Sequence, residues 1–169
     1  MNARWSPSVT VAAIVCDRGA ADGVARWLLV EEHTPEGLKL NNPAGHLDAA
    51  EGPLQGVVRE ALEETGRVFT PEALLGVYLS RFVRPATGED VTYLRFAYTG
   101  TVGEPIEGWA LDDGIVRTLW LTLPEVRAAQ GRLRSPLVLR CIEDDAAGVR
   151  HPLGLVQVDG SVMRPDIKR

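Results

Sequence analysis

Cysteine is scarce in this chain, and its two residues stand far apart. Cys16 and Cys141 lie in the apolar runs 12–16 and 137–142. Isolated thiols in such runs pack as small hydrophobic side chains. The pattern argues against a disulfide framework and favours a reducing compartment, so we expect a cytoplasmic protein.

Long hydrophobic runs are missing as well. The longest one near the N-terminus, residues 9–16, stops at Asp17 and Arg18. It is too short to cross a bilayer and lacks the layout of a signal peptide. Because no repeat or linker divides the chain, we expect one domain over residues 1–169 and no membrane partner. Its core should run from about residue 8 to 159, with a loose tail over about 160–169.

Positive charge is not in excess. Lys and Arg together number 18 against 23 Asp and Glu, which gives a net charge of −5. This balance argues against a nucleic-acid polymer as partner. A small anionic substrate stays compatible with it, because a bound cation reverses the local field. The sequence also lacks the Asp-rich loop of a helix–loop–helix calcium site.

Several segments are rich in β-branched or alternating apolar residues and predict strands. In one of them Leu94, Phe96 and Tyr98 alternate onto a single face. The segment 32–42 is polar and is predicted to be a loop. The predicted strands are residues 9–16, 26–31, 74–83, 91–99 and 116–121.

Helix signals lie between and after these strands. Residues 53–65 have helical periodicity and end before Gly66, where a left-handed C-terminal cap is expected. Thr122 followed by Glu125 predicts a capping box, and Ser135-Pro136 predicts a further helix start. The order of elements predicts an α+β fold, an α/β/α sandwich whose mixed sheet packs between helices.

The helix over residues 53–65 carries its charges on one ridge. Glu60, Glu63 and Glu64 are three and four positions apart and share a surface, on which Gly56 also lies. The expected core face is on nearly the opposite side. It consists of Leu54, Val57, Val58, Ala61 and Leu62.

This acidic ridge lowers the stability of the helix when the helix is considered alone. Like charges four positions apart cost a few tenths of a kcal/mol, and an internal glycine costs about 1 kcal/mol relative to alanine. Three carboxylates are suitable ligands for Mg²⁺ or Mn²⁺, and Arg59 is placed to buttress them or to meet Glu51. For three glutamates taken alone, a solvated acidic face is the simpler interpretation.

The surrounding spacing resembles the Nudix box. Gly45 is followed after five residues by Glu51, and after seven more by Arg59-Glu60-Ala61-Leu62-Glu63-Glu64-Thr65-Gly66. Every glycine and charged position of that motif is matched. The last position, which is apolar in the family, is Arg67 here.

Outside the box, the resemblance extends to the NudJ-like phosphatase branch of the same superfamily. It rests on the segments 43–47, 93–96 and 133–138, and on shorter ones near both ends. Leu40 stands where many relatives have a tryptophan that offers a stacking surface.

The resemblance implies a hydrolase of phosphoanhydride bonds that depends on a divalent cation, Mg²⁺ or Mn²⁺. Its metal ligands are expected to be Glu60, Glu63, Glu64 and the backbone carbonyl of Gly45. Arg59 and Glu51 are expected to support that cluster, together with the Gly66 cap. Glu63 and Glu64 would thus act in catalysis, with Arg59 beside them.

The general base is left open between Glu63 and a later loop carboxylate, for which Asp113 in the Asp112-Asp113 pair is the candidate. An ordinary turn is the simpler interpretation of that pair. Five basic side chains are candidate substrate contacts: Lys39, His46, Arg81, Arg95 and Arg134.

Three functions are compatible with these residues. The first is a phosphatase of nucleoside di- and triphosphates and of thiamine-type diphosphates such as hydroxymethylpyrimidine pyrophosphate. The second is a pyrophosphatase of ADP-ribose, nucleotide sugars or damaged nucleotides. The third, a nucleotide-binding domain without activity, is disfavoured because all the box glutamates are retained. The partner would be a small phosphoanhydride substrate, and the protein a monomer or a homodimer.

Overall fold

The computed structural model describes residues 5–85 and 87–163, which form seven strands and three α-helices. The strands are β1 Ser8–Asp17, β2 Arg26–Thr34, β3 Gly37–Asn41, β4 Ala44–His46, β5 Phe69–Val83, β6 Asp90–Val102 and β7 Ile115–Leu121. The helices are α1 Pro53–Thr65, α2 Leu123–Ala128 and α3 Pro136–Ala146.

The sheet is mixed, as predicted. β1 pairs in parallel with β6 and antiparallel with β4, and β5 extends this half antiparallel to β6. In the other half β2 lies between β3 and β7, antiparallel to both. The end of β1, at Cys16 and Asp17, pairs with the start of β2 and joins the two halves.

Two hydrophobic cores cover opposite faces of the sheet. Alternate residues of β1 point to each: Val11 and Ala13 pack in the core under α1, whereas Ala12 and Ile14 pack in the core under α2 and α3. This alternation follows from the two-residue period of a strand. The predicted α/β/α sandwich is confirmed.

The predicted strands are all present, but the predicted loop over residues 32–42 is wrong. β2 continues to Thr34, and β3 returns antiparallel to it. Gly37 makes the turn possible because it adopts a φ of 96°, and its carbonyl accepts a hydrogen bond from the Thr34 hydroxyl. The polar residues of β3 concealed this hairpin, although Leu40 is fully buried in the core under α3.

The helix starts match the sequence signals with one exception. At α2 the Thr122 hydroxyl accepts from the Glu125 N–H while the Glu125 carboxylate accepts from the Thr122 N–H, so the capping box is complete. α3 begins at Pro136 as predicted, but the Ser135 side chain makes no capping hydrogen bond.

Both cysteines are free thiols, with Cys141 buried and Cys16 half-buried. Burial raises the pKa of each thiol to about 11, which fits the predicted packing role. In the described part of the chain, no helix has the length and hydropathy needed to traverse a bilayer. Most of the tail predicted to be loose, residues 164–169, lies outside the described residues.

Candidate active site

The centre of the site is a close contact between β4 and α1. A Cβ atom on Gly45 would lie 2.2 Å from the Glu60 carboxyl group, so any side chain there would displace that carboxylate. One residue earlier, the Ala44 N–H donates to Glu64 Oε2 at 2.8 Å. The short strand β4 therefore brings backbone directly against the glutamates of α1.

The acidic ridge is buried, which the helical periodicity did not predict. Glu60 is 8% exposed and Glu64 is 7% exposed, whereas Glu63 lies at the rim. Val57 and Ala61 are buried as expected, but Leu54 and Leu62 are only half-buried. The buried face of α1 therefore includes the carboxylates of Glu60 and Glu64, because β4 packs against them.

Arg59 organises the cluster at its outer edge. Its Nη1 donates to Glu60 Oε1 at 2.8 Å and to Glu63 Oε2 at 2.9 Å. Its Nη2 donates to Glu51 Oε1 at 2.6 Å and to the His46 carbonyl at 3.0 Å. Both roles predicted for this arginine, buttressing the glutamates and meeting Glu51, are seen together.

The supporting residues lie where the motif predicts them. Glu51 accepts from Arg59 and from the Asp48 N–H, and the bond to Arg59 holds its pKa below the ordinary value. Gly66 ends α1 with a φ of 64°, and its N–H donates to the Leu62 carbonyl. This is the left-handed cap expected from the sequence.

Burial sets the electrostatics of the ridge. It raises the pKa of Glu64 to about 9, with only the Ala44 N–H opposing it and the charges of Glu60, Glu32 and Asp112 adding to it. Burial also raises the pKa of Glu60, against the pull of Arg59. Burial disfavours the charged form of a carboxyl group unless hydrogen bonds or positive charges compensate it.

The donors fit a hard divalent cation, although they do not form a complete cage by themselves. Within residues 5–85 and 87–163, no three His, Cys, Asp or Glu side chains converge on one point. Arg59 bonds one oxygen of Glu60 and one oxygen of Glu63, and Glu64 accepts one hydrogen bond among the described residues. Oxygen-only, carboxylate-rich donors are what Mg²⁺ and Mn²⁺ prefer.

A loop before β7 closes over the end of α1. The Asp112 N–H donates to the Glu63 carbonyl at 3.1 Å, and the Ile106 N–H donates to the Gly66 carbonyl at 2.8 Å. Trp109 packs against Gly66. Because Asp112 raises the pKa of both Glu60 and Glu64, the loop brings this carboxylate to the ridge, and Asp113 follows it in the turn.

The predicted substrate contacts lie in different surroundings. Arg81 is exposed on the β5–β6 hairpin and pairs with Asp90, and the Lys39 ammonium donates to the Gly131 carbonyl. Arg134 lies 3.7 Å from Glu32. A substrate role for each of these three stays a prediction.

The other two candidates lie on one face of the sheet. His46 is exposed directly after Gly45, with its ring 6.3 Å from that of Tyr93. Arg95 is buried, and its Nη1 donates to Asn42 Oδ1 at 3.4 Å.

Sequence patterns missed Glu32 because its segment was interpreted as a loop. Glu32 is half-buried on β2, where burial raises its pKa, and its charge also acts on Glu64. The sequence pattern that could have indicated Glu32 is a pair of successive glutamates at the end of an apolar strand.

On this α/β/α sandwich, the carboxylates of Glu60 and Glu64 are buried against the backbone of β4. The family model described as the NUDIX domain matches residues 6–140. The chain belongs to the Nudix hydrolase family, whose members act on phosphoanhydride bonds and generally use divalent metal ions.

Two relatives are similar to this chain over most of their length. The chain is 30% identical over 152 residues to Phosphatase NudJ of Escherichia coli strain K12, covering 90% of this chain and 92% of that protein. A solved NUDIX hydrolase from Nitrosomonas europaea is 44% identical, with a TM-score of 0.78 and coverage of 91% and 98%.

A further solved relative shares the fold alone. The NUDIX domain of Shewanella oneidensis NrtR, complexed with ADP ribose, is 19% identical with a TM-score of 0.66. It covers 86% of this chain, which in turn spans 90% of that domain.

Proposed function

We propose that this Nudix hydrolase is a divalent-metal-dependent phosphatase of nucleoside di- and triphosphates and of thiamine-type diphosphates such as hydroxymethylpyrimidine pyrophosphate. The support for the substrate class is the similarity to Phosphatase NudJ across 90% of the chain. We further propose a cytoplasmic monomer or homodimer with no nucleic-acid polymer as partner. Two free thiols and an acidic net charge support that setting.

The observation that carries the proposal is the burial of Glu60 and Glu64 against the β4 backbone. Glu60, Glu63, Glu64 and the Gly45 carbonyl would hold Mg²⁺ or Mn²⁺. The cation, when bound, neutralises phosphate charge and activates a water for attack on phosphorus. Arg59, tied to Glu51, keeps Glu60 and Glu63 aligned at the outer edge of the ridge.

For the base we propose a carboxylate of the Asp112-Asp113 turn. Asp113 was the candidate from sequence, whereas the contact between the Asp112 N–H and the Glu63 carbonyl favours Asp112. Glu63 is half-exposed but already accepts from Arg59, which makes it the weaker proton acceptor.

A substrate panel with product analysis tests the proposal. Purified protein in Mg²⁺ should release orthophosphate from a nucleoside diphosphate, a nucleoside triphosphate and hydroxymethylpyrimidine pyrophosphate. Pyrophosphate release, or a preference for ADP-ribose, would replace the phosphatase by a pyrophosphatase. Binding of nucleotides without turnover of any substrate would indicate a non-catalytic domain.

A further inference from the structure

The β6–β7 loop, residues 103–114, is a long segment without helix or strand. It is exposed throughout except at Leu111 and Gly114, which are half-buried, so the hydrophobic core does not fix its position. A segment with few buried contacts has a defined position only where specific contacts offset the entropy lost on ordering it. The contacts that hold this loop therefore decide where Asp112 lies.

The C-terminal end of α1 provides these contacts through its carbonyl groups. The last carbonyls of a helix have no partner within the helix and are free to accept from other segments. The Asp112 N–H donates to the Glu63 carbonyl at 3.1 Å, and the Ile106 N–H donates to the Gly66 carbonyl at 2.8 Å. Because Glu63 belongs to the glutamate ridge, the first of these bonds ties the loop backbone to the ridge itself.

Trp109 is the side chain that rests on this end of the helix. A Cβ atom on Gly66 would lie 3.2 Å from both Cβ and Cδ1 of Trp109, closer than ordinary van der Waals contact. Glycine is thus needed at this position twice, for its φ of 64° and for the room that it leaves to the indole ring. The Trp109 N–H also donates to the Ile106 carbonyl at 3.2 Å, which closes the middle of the loop on itself.

Arg67 holds the beginning of the same loop. Its Nη1 donates to the Gly103 carbonyl at 2.9 Å, and its guanidinium lies 6.0 Å from the centre of the Trp120 ring on β7. The Gly103 N–H in turn donates to the Val68 carbonyl at 3.1 Å. The Nudix box has an apolar residue at this position, and an apolar side chain could not bond Gly103. The arginine therefore adds an attachment between the loop and the end of α1.

Electrostatic repulsion opposes the position that these contacts impose on Asp112. Burial raises the pKa of Glu60 and Glu64, and the charge of Asp112 adds to that rise. An exposed loop that carries an acidic side chain would lower this repulsion by moving away from the ridge. The contacts at Gly66 and Arg67 counteract this tendency.

We propose that Trp109 is a positioning residue that packs on Gly66 and, with Arg67 at the start of the loop, holds Asp112 at the glutamate ridge for proton transfer. This role rests on the proposed function, since it requires Asp112 to act as the base. Trp109 acts through the loop backbone and not by touching the substrate. A general base must lie within hydrogen-bonding reach of the proton that it takes, so a small displacement of the loop lowers the rate.

Steady-state kinetics in saturating Mg²⁺ test this role. Trp109→Ala should lower kcat about 10-fold or more and leave KM within about twofold, because a misplaced base weakens the transition state and not substrate binding. Trp109→Phe keeps a flat ring for Gly66 and should stay within about threefold of the wild type. Trp5→Ala is the matched control, since Trp5 is 69% exposed and precedes β1, and its kcat should equal that of the wild type.

A double-mutant cycle separates positioning from a general loss of structure. In the Asp112→Asn background the base is already absent, so adding Trp109→Ala should change kcat less than about twofold. A further fall of about 10-fold in the double variant would show that Trp109 acts independently of Asp112 and would overturn the proposal.

Amide hydrogen exchange tests the same contacts without turnover. Trp109→Ala should speed exchange at the Ile106 and Asp112 amides about 10-fold or more, while the amides of β1 stay protected. Unchanged exchange would contradict the proposal. If Trp109→Ala does not fold, Arg67→Leu takes its place: faster loop exchange with kcat lowered about threefold supports the proposal, and wild-type kcat overturns it.

The two proposals fail in different ways. Hydrolysis with wild-type kcat in Trp109→Ala would sink the role of Trp109 alone and leave the phosphatase. Absence of hydrolysis by the wild-type protein would sink the phosphatase and, with it, the catalytic role of the loop, whatever the exchange rates of its amides.

Discussion

Glu64 combines deep burial with a single hydrogen bond. It is 7% exposed, its only hydrogen-bond donor within residues 5–85 and 87–163 is the Ala44 N–H, and burial raises its pKa to about 9. A carboxyl group in this state is a strong cation ligand once a metal competes with its proton, because metal binding requires the deprotonated form. The cost of burying Glu64 is therefore best explained by function.

The two aspartates of the turn before β7 allow a matched test of the base. Asp112→Asn should lower kcat about 100-fold, since a positioned general base contributes about 10²- to 10⁴-fold. Asp113→Asn should stay within about threefold of the wild type, because the charge that acts on Glu60 and Glu64 is that of Asp112. Steady-state kinetics in saturating Mg²⁺ would measure both. A larger loss of kcat in Asp113→Asn would assign the general base to Asp113. Wild-type kcat in both variants would show that neither aspartate of the turn is the base.

The sequence predicted which residues form the candidate site but not what surrounds them. The spacing from Gly45 to Gly66 selected the ridge and its support, and the structure brings them together. It did not predict that Glu60 and Glu64 would be buried, because helical periodicity cannot tell which neighbour covers a polar face. Nor did it separate Asp112 from Asp113, since the loop is fixed by backbone contacts to Glu63 and Gly66.

Elements were predicted best where local chemistry decides their ends. The proline and glycine that bound α1 and the capping box of α2 set those helices without tertiary information. β3 was missed because its stability comes from pairing with β2 and not from its own propensity. The position of α3 also depends on contacts with other elements and not on its local sequence alone.

α3 is attached to the sheet through Asp145, which is fully buried. Its carboxylate accepts hydrogen bonds from Arg18 at 2.9 Å, Trp27 at 2.9 Å and Thr99 at 2.8 Å, and it forms an ion pair with Arg150 at 2.7 Å. Trp27 lies on β2 and Thr99 on β6, whereas Arg18 directly follows β1 and Arg150 follows α3. One carboxylate thus fixes the end of α3 against both halves of the sheet.

Replacing this carboxylate should loosen α3. We expect Asp145→Asn to lower the free energy of unfolding by about 2–4 kcal/mol, because the amide has one acceptor oxygen instead of two and no charge to pair with Arg18 and Arg150. Urea denaturation would measure it. Glu143→Gln on the same helix is the control, since its pair with Arg127 is exposed and should matter little. Equal effects of the two changes would contradict the role of Asp145.

At the scale of the whole molecule, one sheet separates two hydrophobic cores. The core under α1 supports the glutamate ridge, and the core under α2 and α3 packs on the opposite face. β4 is the junction, because Gly45 touches Glu60 while His46 faces Thr10.

The most direct measurement is orthophosphate release as a function of Mg²⁺, for the wild type and for Glu64→Gln. Glutamine retains an oxygen for the Ala44 N–H but loses the charge, so the fold and thermal midpoint should persist. Wild-type activity should vanish in excess chelator, and the variant should retain less than about 1% of kcat, the loss typical when a main electrostatic contact is removed. Full activity in chelator, or in Glu64→Gln, would contradict the metal-binding role of the buried ridge.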